Sequence, residues 1–314
     1  MAKNSSAIRE PYKDRLFLAG IYVFLIIVLL VILIPLLNIV SSSFSHPKAV
    51  VSGRVWLFPV DFSIEGYKAV FNNPNIVIGF RNSFFYTIVG TLINIVLTVM
   101  IAYPLSRKTF YGRGFIMAVL VFTMLFDGGL IPYYLVVKAL GLLNTPWAMI
   151  LPGGIAVFQV IVARTFFQTT IPDDLYEAAE MDGCSDFRFI TSIVLPLSKP
   201  IIAVMTLMYA VGHWNAYFQA LIFLRDPNLF PLQIILREIL VLNTIDPTMM
   251  SNVDQALARA GLKEQLKYAL IVVASLPVLL IYPFVQKHFT KGVMIGSIKN
   301  REDLLPCIIE GGDK

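Results

Sequence analysis

Apolar residues gather in six long runs, at 16–40, 82–103, 115–138, 147–167, 200–224 and 268–289, and polar residues fall mainly between them. Each run is near the ~20 residues that a helix needs to cross a bilayer. The pattern predicts an all-α, polytopic membrane protein with six transmembrane helices. The first run follows Lys3, Arg9, Lys13 and Arg15. A secretory signal also starts basic, but its apolar core is only ~7–15 residues and a small-residue cleavage site ends it. This run is longer, and Asn38-Ile39-Val40 is a poor cleavage site. It reads as a retained first helix, with 1–15 as a cytoplasmic N-terminus and 16–300 as the transmembrane domain. Residues 301–314, with Asp303, Glu310, Gly311, Gly312 and Asp313, change character and read as a native or an appended tail.

The polar connections set the expected orientation. Arg107, Lys108 and Arg113 crowd the loop between the second and third runs, which marks it cytoplasmic, because basic residues accumulate on that side. The loop 141–146 has no basic residue and is expected outside. Lys287, Lys291 and Lys299 follow the sixth run on the inside. Six crossings put both termini in the cytoplasm. The external segment 41–81 holds Trp56, Phe58, Phe62, Tyr67 and Phe71 and is expected to pack on helix ends. The other long external segment, 226–267, is expected to carry one helix around 231–241 and another over 252–265.

Composition agrees with the pattern. The chain is 57% hydrophobic and 14% charged, where a soluble domain carries about 25% charged residues. The net charge of +5 suits a membrane protein, and with no basic stripe it does not point to nucleic acid. Cys184 and Cys307 build neither a disulfide framework nor a metal motif.

One cytoplasmic stretch, 169–198, stands out. Pro172 suits a first helical turn, Asp173 and Asp174 favour a helix N-terminus, and Gly183 sits where a left-handed C-cap is wanted. Ser185 can cap a second helix, which is expected to end at Pro196. The prediction is a helix–turn–helix. Ala178 and Ala179 leave a small, flat surface beside Glu177, whose carboxylate suits an Arg of another protein. The stretch is acid-rich, against the usual basic bias, and two readings stay open: a docking surface or a solvated acidic helix.

The spacing of Glu177-Ala178-Ala179, Gly183, Ile193 and Leu195-Pro196 matches the signature loop of binding-protein-dependent ABC importer permeases. The chain resembles, over nearly its whole length, the carbohydrate permeases that include the smaller permease of the maltose transporter. Gly128-Gly129-Leu130-Ile131-Pro132, Leu140-Gly141-Leu142-Leu143-Asn144-Thr145 and Trp214-Asn215-Ala216-Tyr217-Phe218 are similar to a branch that imports oligosaccharides released from polysaccharides. The resemblance implies a permease subunit in a bacterial cytoplasmic membrane. Its partners would be a second, different permease, two ATPase subunits and an external solute-binding protein that delivers an oligosaccharide. Glu177, Ala178, Ala179, Gly183, Ile193, Leu195 and Pro196 would form the ATPase-coupling contact. ATP and Mg belong to the ATPase, since this chain has no phosphate-binding Gly-x-x-x-x-Gly-Lys motif and binds no cofactor of its own.

Polar residues inside the apolar runs are the candidates for the sugar path. Asp127, in the third run, is a departure from the small polar residue more usual in this branch. It reads as a contact for sugar hydroxyls, a partner of a basic side chain, or a structural cap beside Gly128-Gly129. In the fifth run Asn215 and Gln219 share a helical face, and Trp214 and Phe218 share another. With Tyr217 they combine aromatic faces and amides, as sugar sites do, or they bind neighbouring helices. Asn94 is a weaker candidate, and a proton-relay role for His213 is disfavoured where ATP supplies the drive. Two other classes compete. An ion-coupled carrier would show internal repeats and Gly/Pro-broken helices; Pro35, Pro132, Pro152 and Pro277 interrupt runs, but no repeat is visible. A membrane enzyme would show a catalytic constellation, and none is present.

Overall fold

The first helix, α1 (Tyr12–Ser43), is apolar on every side, and Leu16, Phe24 and Val31 are all exposed. Such a helix suits a lipid or protein environment rather than water. It outruns the run 16–40 at both ends and passes through Pro35 without a break. A computed structural model describes residues 12–242, 261–281 and 283, which divide into two compact units. The first joins 12–72 with 261–273, and the second joins 73–242 with 274–281 and 283.

In the first unit the chain folds back on the end of α1. Asn38 Nδ2 donates to the Trp56 carbonyl at 2.9 Å, and Ser41 Oγ to the Leu57 carbonyl at 2.7 Å. Two short helices follow, α2 (Pro47–Val51) and α3 (Glu65–Asn72). Tyr67 of α3 meets Ser43 through a 2.8 Å hydroxyl contact. The segment packs on a helix end as its apolar character predicts, yet Trp56, Phe58, Phe62 and Phe71 stay exposed.

The second unit is built around α4 (Pro74–Ser106). Asn73 caps it by accepting from Asn75 N, and Pro74 takes the position where its missing N–H is harmless. After it come α5 (Arg113–Leu125), α6 (Leu130–Ala139), α7 (Val157–Thr170), α8 (Asp173–Met181), α9 (Asp186–Leu197), α10 (Lys199–Trp214), α11 (Phe218–Phe223) and α12 (Leu232–Arg237). A last helix, α13 (Gly261–Ile281), gives its start to the first unit and its end to the second. The core is shared by α4, α7, α9 and α10, through Ala102, Leu105, Val160, Phe167, Phe189 and Met205.

α4 also serves as a polar spine. Asn82 Nδ2 donates to the Asn228 carbonyl at 2.7 Å, Tyr86 OH donates to the Leu229 carbonyl, and Ser83 Oγ accepts from Leu232 N. Asn94 Nδ2 donates to the Gly153 carbonyl at 3.0 Å. In an apolar medium irregular backbone must find such partners. Asn94 therefore holds a loop, which accounts for it without a path. His213 reaches α4 over Gly90, where a Cβ would lie 2.5 Å from His213 Nε2.

Several predicted elements change. Among the described residues three helices are long and apolar enough to cross a membrane (α1, α4 and α13), or up to five if each of two bent pairs is one span. The run 115–138 is not one helix: α5 and α6 meet at 116° across Phe126-Asp127-Gly128-Gly129, where Gly129 has φ +82°. The run 147–167 yields only the 14-residue α7, preceded by a 3-10 turn at Pro146–Met149, because Pro152-Gly153-Gly154 does not sustain a helix. The run 200–224 is broken at Asn215–Ala216–Tyr217, so Asn215 and Gln219 do not share a helical face. Pro277 lies within α13 and does not interrupt it. The helix expected at 231–241 is α12, continued by a π-turn at Glu238–Leu242. Of 252–265, only 261–265 is described, and it is helical. The tail 301–314, Cys307, Lys287, Lys291 and Lys299 lie outside the described residues.

Candidate functional site

The stretch 169–198 forms two helices joined by a tight turn. Pro172 takes the N-cap position of α8, one residue earlier than its expected place in the first turn. Asp173 and Asp174 occupy the first turn. The exit is a Schellman motif: Gly183, at φ +73°, donates to the Glu180 carbonyl, and Cys184 N to the Ala179 carbonyl at 2.9 Å. Ser185 then caps α9 by accepting from Arg188 N. A hydrogen bond from Tyr176 OH to Asp186 Oδ1, 2.8 Å, ties the two helices together. That bond to a carboxylate, with a smaller contribution from burial, pushes the Tyr176 phenol up to about 12.

Sequence reasoning missed how this unit is moored. Asp173 takes Arg107 Nη1 on one carboxylate oxygen at 3.4 Å and Lys108 Nζ on the other at 3.3 Å. Arg107 is itself buried, donates to the Ile171 carbonyl at 3.2 Å and lies over the Tyr103 ring. Arg107 and Lys108 entered the sequence reading as topology markers only; a basic pair opposite an acidic first turn is the signal that was there to use. Ile193 and Leu195 pack on the core and Pro196 is exposed, while α9 passes through a π-turn at Ile190–Val194 and reaches Leu197. Glu177 and Ala178 face outward. Ala179, in contrast, turns toward the core, so the two alanines do not share one flat surface. Met181 and Phe187, 89% and 78% exposed, add an apolar margin that the motif does not announce.

A second candidate forms where the two broken helices meet. A cavity of about 460 Å³ is lined by Asp127, Gly129 and Tyr133 on one side and Phe218, Gln219 and Phe223 on the other. Asp127 Oδ1 accepts from Gly129 N at 3.0 Å, which fixes the backbone at the α5–α6 break. The structure thus gives Asp127 the capping role and a place on a cavity wall together. Trp214 is not on this cavity. It is 3% exposed, its indole N–H donates to the Ala274 carbonyl at 3.0 Å, and Phe84 packs edge-on to it. Asn215 Nδ2 is turned back on the Val211 carbonyl, and Tyr217 is exposed with its ring edge-on to Phe218. Of the five path candidates, Asp127 and Gln219 come together.

The family described as binding-protein-dependent transport system inner membrane component matches residues 5–295. The chain belongs to this family. It is 43% identical over 288 residues to the polygalacturonan/rhamnogalacturonan transport system permease protein YtcP of Bacillus subtilis (strain 168), covering 91% of this chain and 99% of that protein. Protein LplC of the same organism is 42% identical over 85% of this chain and 89% of its own length. Among solved structures, a chain of a bacterial ABC transporter involved in the import of the acidic polysaccharide alginate aligns with TM-score 0.83 and 33% identity, over 90% of this chain and all of that one. The protein is a transport subunit of an ABC importer in a bacterial inner membrane, and not an enzyme.

Proposed function

We propose that this permease forms half of the translocation path for an oligosaccharide, delivered from outside by a solute-binding protein. A second permease completes the path, and two ATPase subunits, which hold ATP and Mg, drive it. Six spans with both termini in the cytoplasm place 169–198 on the ATPase side. There α8 docks in an ATPase cleft, with Glu177 facing a basic side chain and Ala178 allowing close approach. Gly183 sets the angle between α8 and α9, Ile193 and Leu195 anchor the unit to the bundle, and the exposed Pro196 stays free for the ATPase contact.

The observation that carries this reading is the moored helix–turn–helix. The Asp173 ion pairs, the Tyr176–Asp186 bond and the Schellman turn make α8 and α9 one stiff piece. α9 passes into α10 through an 81° bend at Ser198. A push on α8 therefore reaches α10, whose far end carries the break at Asn215 and the cavity wall at Gln219.

The cavity supports the path. The α5–α6 break lies about 20 Å along α5 from Arg113, well inside a ~30 Å hydrocarbon layer. Irregular backbone at such depth occurs where it is covered by protein or lines a water-filled space. Two breaks facing one cavity, with Asp127 and Gln219 on its wall, fit the second case.

The test is sugar-stimulated ATPase activity of the reconstituted complex. Glu177→Lys sets a like charge against a cleft arginine, which can cost several kcal/mol. Gly183→Val strains a left-handed turn by about 1 kcal/mol or more. Both variants are expected to insert normally, to leave the sugar affinity of the binding protein intact and to lose stimulation. Full stimulation with both changes together removes the loop from the coupling path.

A further inference from the structure

We infer that the cavity at the two helix breaks selects an uncharged oligosaccharide and rejects one that carries carboxylates. The inference rests on the reading of that cavity as part of the sugar path.

The argument begins with charge. Asp127 is the one ionisable acid on the cavity wall, and none of the lining residues is basic. Its Oδ1 is committed to Gly129 N, so the carboxylate is fixed by the backbone rather than free to swing away. Its other oxygen has no partner among the described residues. A carboxylate accepts hydrogen bonds and donates none. What it offers a ligand is an acceptor for hydroxyl groups, which every uncharged sugar supplies in neighbouring pairs.

The remaining wall fits the same ligand. Gln219 both donates and accepts. Tyr133 and Phe218 present aromatic surface to the apolar faces of a ring, and the buried Phe223 backs the wall, held by the Tyr133 and Tyr134 rings with centroids 5.7 and 6.3 Å away. A few placed polar groups among aromatic ones is how small-molecule sites fix orientation.

A uronate ring meets a different wall. Its carboxylate approaches Asp127 with no cation on this side to neutralise either charge. Like charges brought together repel, and a repulsive contact of this kind is a means by which a site excludes a near-isosteric competitor. The chain would thereby part company with the alginate importer, whose cargo is described as an acidic polysaccharide.

The experiment uses the whole importer, with both permeases, the ATPases and the binding protein, reconstituted in liposomes that contain ATP. The binding protein is supplied with a mixed digest of pectin and hemicellulose, which holds both acidic and uncharged oligosaccharides. Sugars accumulated in the lumen are separated by anion exchange. The native importer is expected to accumulate uncharged sugars in at least about tenfold excess over acidic ones, relative to what the binding protein carries. Asp127→Asn keeps an oxygen for Gly129 N and removes the charge, so it is expected to reduce that excess severalfold while import of uncharged sugar persists. Gln219→Trp fills the cavity and is expected to block both classes. Comparable accumulation of acidic and uncharged sugars by the native importer, or an unchanged ratio in Asp127→Asn, overturns the charge inference. Normal import by Gln219→Trp overturns instead the reading of the cavity as the path.

Discussion

At the scale of single residues, the helix–turn–helix is held by contacts that neighbours along the chain cannot make. Tyr176 and Asp186 lie ten positions apart, on different helices, and meet at 2.8 Å. The bond needs a neutral phenol to donate it. The Tyr176 pKa is raised from 10.0 to about 12, so the neutral phenol is favoured in the folded loop. The sign follows: the contribution of this bond is fully present below pH 10 and is lost as pH climbs through about 12. Tyr176→Phe removes the hydroxyl and keeps the edge-on packing with Phe189. It is expected to loosen the turn by about 1 kcal/mol, the usual net value of one hydrogen bond. Hydrogen exchange should read this as faster exchange of the Gly183 and Cys184 amides, with the bundle core unchanged. Equal exchange in both proteins would show that the Schellman turn alone sets the angle.

At the scale of helices, local signals were legible and breaks inside apolar runs were not. The loop 169–198 could be read because Pro172, Asp173, Gly183 and Ser185 each carry end-of-helix chemistry in the right order. Its exact start could not, since proline fits the N-cap and the first turn alike. Inside the spans the apolar pattern is continuous across Phe126 and across Ala216, so periodicity reports one helix where there are two. Gly128-Gly129 was the only local warning of the first break. Prolines misled in the other direction, since Pro35 and Pro277 sit in unbroken helices. Trp214 looked like a sugar platform because tryptophan often is one; only the fold shows its indole N–H spent on Ala274. Close packing of α4 with α10 was equally hidden, for it depends on one missing Cβ. A methyl on Gly90 would lie 2.5 Å from His213 Nε2. Gly90→Ala is therefore expected to destabilise the bundle by about 1–3 kcal/mol, as overpacking does. Adding His213→Ala opens the space again and should recover part of the loss. Detergent thermal-shift midpoints of the single and double variants check this, and a double variant less stable than Gly90→Ala alone would refute the steric cause.

At the scale of the whole molecule, a 116° bend lets α5 and α6 together either cross the membrane or turn back within it. The second unit argues for crossing. Arg107, just before α5, pairs with Asp173 and so lies beside the helix–turn–helix. Asn144, just after α6, accepts from Arg225 N and Asp226 N on its side-chain oxygen and donates its backbone N–H to the Phe223 carbonyl. Between the helix–turn–helix and those residues runs α10, 16 residues and thus about 24 Å long. The start of α5 is thereby tied to the helix–turn–helix that leads into α10, and the end of α6 to the segment just past α11, with the length of α10 between them, close to the ~30 Å hydrocarbon thickness. Charge agrees, with Arg107, Lys108 and Arg113 at the first end and no basic residue in 141–146 at the other. Reporter fusions joined after Tyr111, which is 98% exposed, and after Asn144 are expected to give opposite sidedness, the first cytoplasmic. The same sidedness at both would make α5–α6 a re-entrant hairpin. The count would then be odd, the termini would lie on opposite faces, and the helix–turn–helix would be on the wrong side of the membrane to meet an ATPase.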